Sequence, residues 1–315
     1  MLLLTSSISR RVIVASFALI VFGQSALAQI PVSKTDGRKL APGVLQVIEP
    51  ATESGETAEG PVDLPLVGDP RNKDIIWEPA FDPKSMTLME KSKQIVFRKE
   101  VYCLEFAFKP VRMINVNGKL VWYLLYRVNY KGGDLKPVPE PDKYQNEVFG
   151  VPQAVSAEWV RFIPTFKLDS LGLGKVYMDR VVPGALEAIA AKERVGKPIL
   201  DTLQMQRAKL LISSPTRDNS VWGVATWANV DPRIDFFAVA IQGLTNAQKL
   251  ELDQNKIKYL QKTLVLHFSR PGDTIRELDD IIRFGIPALK DPERQKYVLS
   301  QYGQEERLDY LWEYR

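Results

Sequence analysis

The sequence predicts a mainly β protein with helical insertions: a β-sandwich-like body built around an Asn-Gly hairpin, with a helical segment at the C-terminus. Three observations carry this. RMINVNGKLVWYLLYRVNY sets Asn117-Gly118 between two apolar runs, and a type I′ turn takes these residues because both central positions need positive φ. Its second arm alternates, with Trp122, Leu124, Tyr126, Val128 and Tyr130 on one face and Arg127 and Asn129 on the other, a strand period of two. Further along, NSVWGVATWANV, RIDFFAVAIQGL and KTLVLHFSR read as strands separated by turn residues, and such runs favour a sandwich over a doubly wound parallel sheet.

The N-terminus has the order of a secretory signal. Arg10 and Arg11 precede an apolar run from Val12 to Phe22, and Ala26-Leu27-Ala28 stands before Gln29 as an A-x-A cleavage site. The run is shorter than the ~20 apolar residues that a membrane-spanning helix needs. We read residues 1–28 as removed, with no transmembrane segment afterwards and an exported, periplasmic or extracellular product. Ser9-Arg10-Arg11 leaves the twin-arginine route open beside the general one, although Ile13 stands where an aromatic is usual.

Residues 29–74 are rich in Pro, Gly, Glu and Thr, as in EPATESGETAEGPVDLP, and are expected to form a disordered acidic leader because they carry no apolar period. Residues 75–315 form the strand-rich body, with two subdomains envisaged on either side of 170–215. The formal charge of +4 falls to +2 without the signal arginines, and the body has no dense Lys/Arg block, so nucleic acid is not an expected partner. A lone Cys103 excludes an internal disulfide and a thiolate metal site.

Within the body, VYCLEFAFKP alternates with Tyr102, Leu104, Phe106 and Phe108 on its apolar face. A two-residue turn would set Phe108 opposite Arg127 and Phe106 opposite Asn129, which puts the apolar faces out of register by one. A bulge or strand break at Lys109-Pro110 is therefore predicted. EWVRFIPTFKLDS reads as a strand. PGALEAIAAKERVG reads as a short helix from Pro183 or Gly184 to Gly196, with Leu186, Ile189 and Ala190 on one side, and a weaker helical pattern runs from Ile199 to Leu211. TIRELDDIIRFGIP carries a Thr274/Glu277 capping box and a Gly285/Pro287 stop. EERLDYLWEYR sets Leu308, Leu311 and Trp312 at helical spacing.

No nucleotide loop, metal-ligand cluster or catalytic triad is present, and we expect no cofactor and no metal. His267, the only histidine, could activate Cys103 as a nucleophile, but a buried structural thiol is the simpler reading. Glu105, Asp231 and Asp235 are the candidate catalytic carboxylates, drawn from a wider set that includes Glu78, Asp82, Asp273, Asp279 and Asp280. An ion pair with Arg127 explains Glu105 more economically. Asn229, Asp231 and Asp235 weakly resemble a calcium loop but lack its Gly and terminal Glu. Candidate binding residues are Trp222, Trp227, Phe236 and Arg270. The two tryptophans differ by five positions and point to opposite strand faces, so they cannot form one sugar platform, and core packing is favoured. Arg270-Pro271-Gly272-Asp273 is a strand-to-helix turn whose helix N-terminus could attract a small anion.

FAFKPVRMINVNGKLVWYLLYRVNY, DPRIDFFAVAIQGLTN and KTLVLHFSRPGD resemble segments of a secreted, planctomycete-type bacterial protein family of unknown function. The resemblance covers the body after Trp77 and implies a compartment but no activity. The expected role is that of an exported, non-enzymatic binding or structural protein of the cell envelope, with a protein or polysaccharide as partner. The alternative is a carboxylate-dependent hydrolase of envelope or extracellular glycans.

Overall fold

Two antiparallel-rich sheets pack face to face and enclose one aromatic core. A computed structural model describes residues 45–53, 56, 76–77, 96–97, 100–141, 143–144, 147–149, 152–253, 256–271 and 281–315. The main elements are β1 (Gln46–Ile48), β2 (Glu105–Phe108), β3 (Arg112–Val116), β4 (Lys119–Asn129), β5 (Thr165–Ser170), β6 (Lys175–Met178), α1 (Ala185–Glu193), β7 (Ile199–Leu200), α2 (Thr202–Arg207), β8 (Val221–Ala228), β9 (Phe236–Gln242), β10 (Gln248–Asp253), β11 (Lys256–Ser269), β12 (Arg283–Phe284), α3 (Pro292–Ser300) and β13 (Tyr310–Tyr314). The first sheet runs β1-β2-β4-β8-β7, with β3 also on β4. The second runs β6-β5-β9-β11-β10, with β12 and β13 also on β11. β4 pairs with β8, so the first sheet draws strands from both sides of residues 170–215.

The hairpin forms as its residues require. Asn117 and Gly118 take φ of 51° and 77°, and the Asn115 side chain accepts the Gly118 N–H at 2.9 Å. β3 pairs with β4 in the turn-defined register, Arg112 opposite Tyr123. Beyond Lys109-Pro110-Val111 the register has slipped by one, and Phe108 lies opposite Tyr126 and Phe106 opposite Val128. This is the predicted break, and it returns both phenylalanines to the core face, where Phe106 stacks on Tyr126 with centroids 5.4 Å apart.

The inner faces of β2, β4 and β8 meet those of β5, β9 and β11 in one cluster that includes Phe106, Trp122, Tyr126, Trp227, Phe237, Leu266 and Phe268. The outer face of β4 is apolar as well. Val121, Tyr123 and Leu125 are covered by Ala185 and Ile189 of α1, which explains why β4 reads as an almost unbroken apolar run. The helix is anchored at its end by Glu193, which accepts from Lys109 at 2.7 Å and from the Tyr123 hydroxyl at 2.7 Å. Ala190, expected on the buried side, is exposed, and Ala185 takes that place.

Three expectations are corrected. β13 is a strand, where helical spacing of Leu308, Leu311 and Trp312 suggested a helix. Its free backbone groups complete the edge of β11, and alternation sends Trp312 into the core opposite Leu264. Arg283-Phe284, placed in the capping-box helix, pair with β11 as a strand, and residues 272–280 lie outside the described residues. The expected leader contributes β1, an edge strand that pairs Ile48 with Phe106, and Glu56, which enters the interior; the rest of 29–74 lies outside the described residues apart from 45 and 49–53. The helix of the C-terminal region is α3, signalled by Asp291 as N-cap and Pro292 at N1, a cap signal that is independent of apolar periodicity. Among the described residues no helix is long and apolar enough to cross a membrane.

Candidate functional site

The residues singled out from the sequence do not converge. Glu105 is buried on the face of β2 opposite Phe106, held by Lys131 and, at 3.7 Å, by Arg127. Asp231 lies in the β8–β9 turn, where Lys175 approaches to 2.5 Å and Arg233 to 2.9 Å. These cations hold its carboxyl far below the usual carboxylate range, Arg233 contributing most. Its oxygens are committed to lysine and arginine, which removes it from the calcium reading. Asp235 is exposed, and its carbonyl accepts the Arg270 N–H at 2.7 Å. Glu78, Asp82, Asp273, Asp279 and Asp280 lie outside the described residues.

The binding candidates are corrected in the same way. Trp227 is fully buried in the sandwich core, while Trp222, on the other face of β8, packs beside α1. Phe236 sits against Tyr302 with centroids 5.8 Å apart. Arg270 is wholly buried; its guanidinium donates to the carbonyls of Pro232 and, at 3.0 Å, Ile234, so it braces the β8–β9 turn. Cys103 is in the core cluster on the inner side of β11, where burial pushes its thiol up to about 12, whereas His267 is on the outer side of that strand. The sheet separates the two, and a Cys-His pair does not form.

A concavity of a different composition lies on the outer face of the second sheet. It has a volume of about 260 Å³ and is lined by Asp169 of β5, His267 of β11, Glu313 of β13, Arg315, and Gln301 and Gln304 at the end of α3. Strand alternation explains this meeting: Leu264, Leu266 and Phe268 turn inward, so Val265 and His267 turn outward, and Asp169 projects likewise between inward Leu168 and Ser170 on β5. The turn after α3 closes over them because the Tyr302 hydroxyl donates to the Phe268 carbonyl at 2.7 Å and its ring meets the His267 ring edge to face at 5.1 Å. Behind His267, Gly285 donates its N–H to the His267 carbonyl at 2.8 Å. Its φ of 93° and the carboxylate of Asp309, which a Cβ would strike, both call for glycine.

The imidazole is fixed in one tautomer. Nδ1 is 2.6 Å from the Leu308 carbonyl, so it carries the proton and donates, and Nε2 is left as a lone-pair acceptor. Burial lowers its pKa from the ordinary 6.5 to about 4, so the ring is neutral near pH 7. Glu313 is steadied by Arg315 at 3.2 Å. The wall thus offers a neutral acceptor, two carboxylates, a guanidinium and two amides around one small space.

No family model, curated protein or solved structure matches the chain. The reading of the cavity therefore rests on its own chemistry. The sequence offers His267 as a partner for Cys103 or as a structural residue. Asp169, Gln301, Gln304, Glu313 and Arg315 were not singled out, because no local spacing links three strands and a helix end.

Proposed function

We propose that the protein is an exported, non-enzymatic binding protein of the cell envelope, periplasmic or extracellular, and that the cavity beside His267 receives a hydroxyl-rich segment of an envelope polysaccharide. The observation that carries this is the wall of that cavity, where planar amides, carboxylates and a neutral imidazole acceptor surround the space; such groups recognise hydroxyls through paired donors and acceptors. The export pattern at residues 1–28 supports the compartment. The internal engagement of Glu105 and Asp231 supports a binding role over catalysis.

The test is calorimetric titration of the mature protein with fragments of envelope polysaccharide, alongside Asp169→Asn and Gln304→Ala. Binding that weakens about tenfold or more in both variants supports the reading, since about 1.4 kcal/mol per lost polar contact corresponds to that factor. Equal affinity in the wild type and both variants removes the cavity as the seat. Asp169 and Glu313 face one space, so the glycan-hydrolase alternative moves to this pair. Release of new reducing ends that disappears in both Asp169→Asn and Glu313→Gln would establish that alternative instead.

A further inference from the structure

The second sheet ends on a strand that is short, apolar and open. Among the described residues β6 pairs only with β5, so one of its edges has no strand partner. The Asp179 N–H donates to the Phe166 carbonyl at 3.0 Å, which makes Phe166 and Asp179 a hydrogen-bonded pair of the ladder. Alternation from that pair directs the backbone groups of Tyr177 and Lys175 toward β5 and those of Val176 and Met178 away from it. The same two residues carry the exposed apolar side chains of the strand, with Val176 57% and Met178 53% accessible. Tyr177 between them turns inward against the core.

Open apolar edges are usually guarded by a charged side chain. Lys175 is placed to do this, but its ammonium is drawn to Asp231 at 2.5 Å. Exposed Leu173 and Val181 flank the strand at its two ends, so the apolar surface is disposed evenly about Tyr177. That symmetry selects the occupant. We propose that β6 pairs antiparallel with β6 of a second copy of this chain, about a two-fold axis at Tyr177, and joins the two second sheets into one. In this register Val176 lies opposite Met178 of the second copy, and each exchanges N–H and C=O with the other; symmetry repeats the exchange. The outward backbone groups of the strand are then matched, and each exposed side chain gains an apolar neighbour on the same face. A strand of unrelated sequence would satisfy the backbone but has no reason to repeat the spacing of Val176 and Met178.

The experiment uses the full mature chain. Wild-type protein should show a concentration-dependent monomer–dimer equilibrium in sedimentation, and Val176→Lys should weaken dimerisation at least about tenfold while leaving the melting temperature of the monomer unchanged, since the site is exposed. The register is read by mixing two single variants, Val176→Cys and Met178→Cys, of distinguishable mass under mild oxidation. A covalent heterodimer should accumulate in the mixture and not with either variant alone. Sedimentation as a monomer at every concentration overturns the proposal, and so does equal crosslinking of each variant with itself, which would place the axis elsewhere.

Discussion

Glu56 and Lys262, 206 residues apart in the chain, form an ion pair in the interior of the sandwich, with both side chains almost wholly buried. The Lys262 ammonium also donates to the Ala51 carbonyl at 2.7 Å, and the Tyr314 hydroxyl reaches the Glu56 carboxylate at 3.0 Å. β1 on the first sheet and Glu56 at the second therefore strap the N-terminal segment across the end of the sandwich.

Removing one partner of this pair leaves the other charge buried and unmatched. Glu56→Ala should cost about 3–5 kcal/mol in urea unfolding, whereas the double change Glu56→Leu with Lys262→Met should recover most of that loss. Equal losses in the single and double variants would show that packing, not charge, dominates at this site.

Trp227 and Trp222 occupy one strand and opposite environments. Trp227→Ala should lower stability by about 3–5 kcal/mol because it opens the aromatic core, and Trp222→Ala should cost clearly less because its ring is partly solvated beside α1. Denaturant midpoints of the two variants decide this directly.

His267 makes stability depend on pH in a defined direction. Its folded pKa, about 4, lies below its ordinary 6.5, so the unfolded chain binds the proton more tightly. The contribution of the neutral ring is complete above about pH 6.5, is lost as pH falls toward 4, and does not change further below that. The loss should reach roughly 2–4 kcal/mol, and the difference in unfolding free energy between wild type and His267→Gln, followed across pH, isolates it from the carboxylates.

The Cys103 thiol should be inert in the folded protein. Burial pushes its pKa up to about 12, so thiolate is scarce near pH 8 and the sulfur is covered. A disulfide reagent should modify it only as fast as the chain unfolds, and rapid stoichiometric labelling of native protein would contradict the placement.

Much of the sandwich is legible in local pattern. The Asn117-Gly118 turn, the alternation of β4 and the parity of Trp222 and Trp227 each follow from backbone geometry within a few residues. The slip at Lys109-Pro110 is legible too, because a period of two allows only one register that keeps Phe106 and Phe108 inward. Local pattern misled where it fitted two structures. Leu308, Leu311 and Trp312 satisfy a helical spacing, but Tyr310, Trp312 and Tyr314 satisfy a strand equally well, and the waiting edge of β11 decides between them.

By itself the sequence determined the class of fold and the hairpin with its register, because these depend on side-chain period and turn conformation. Tertiary structure alone decided which ionisable groups are neutralised by neighbours and which share a space. Glu105 and Asp231 met cations, whereas Asp169, His267 and Glu313 came together on one sheet face from three strands. Long-range strand pairing sets those distances, and no short segment carries that information.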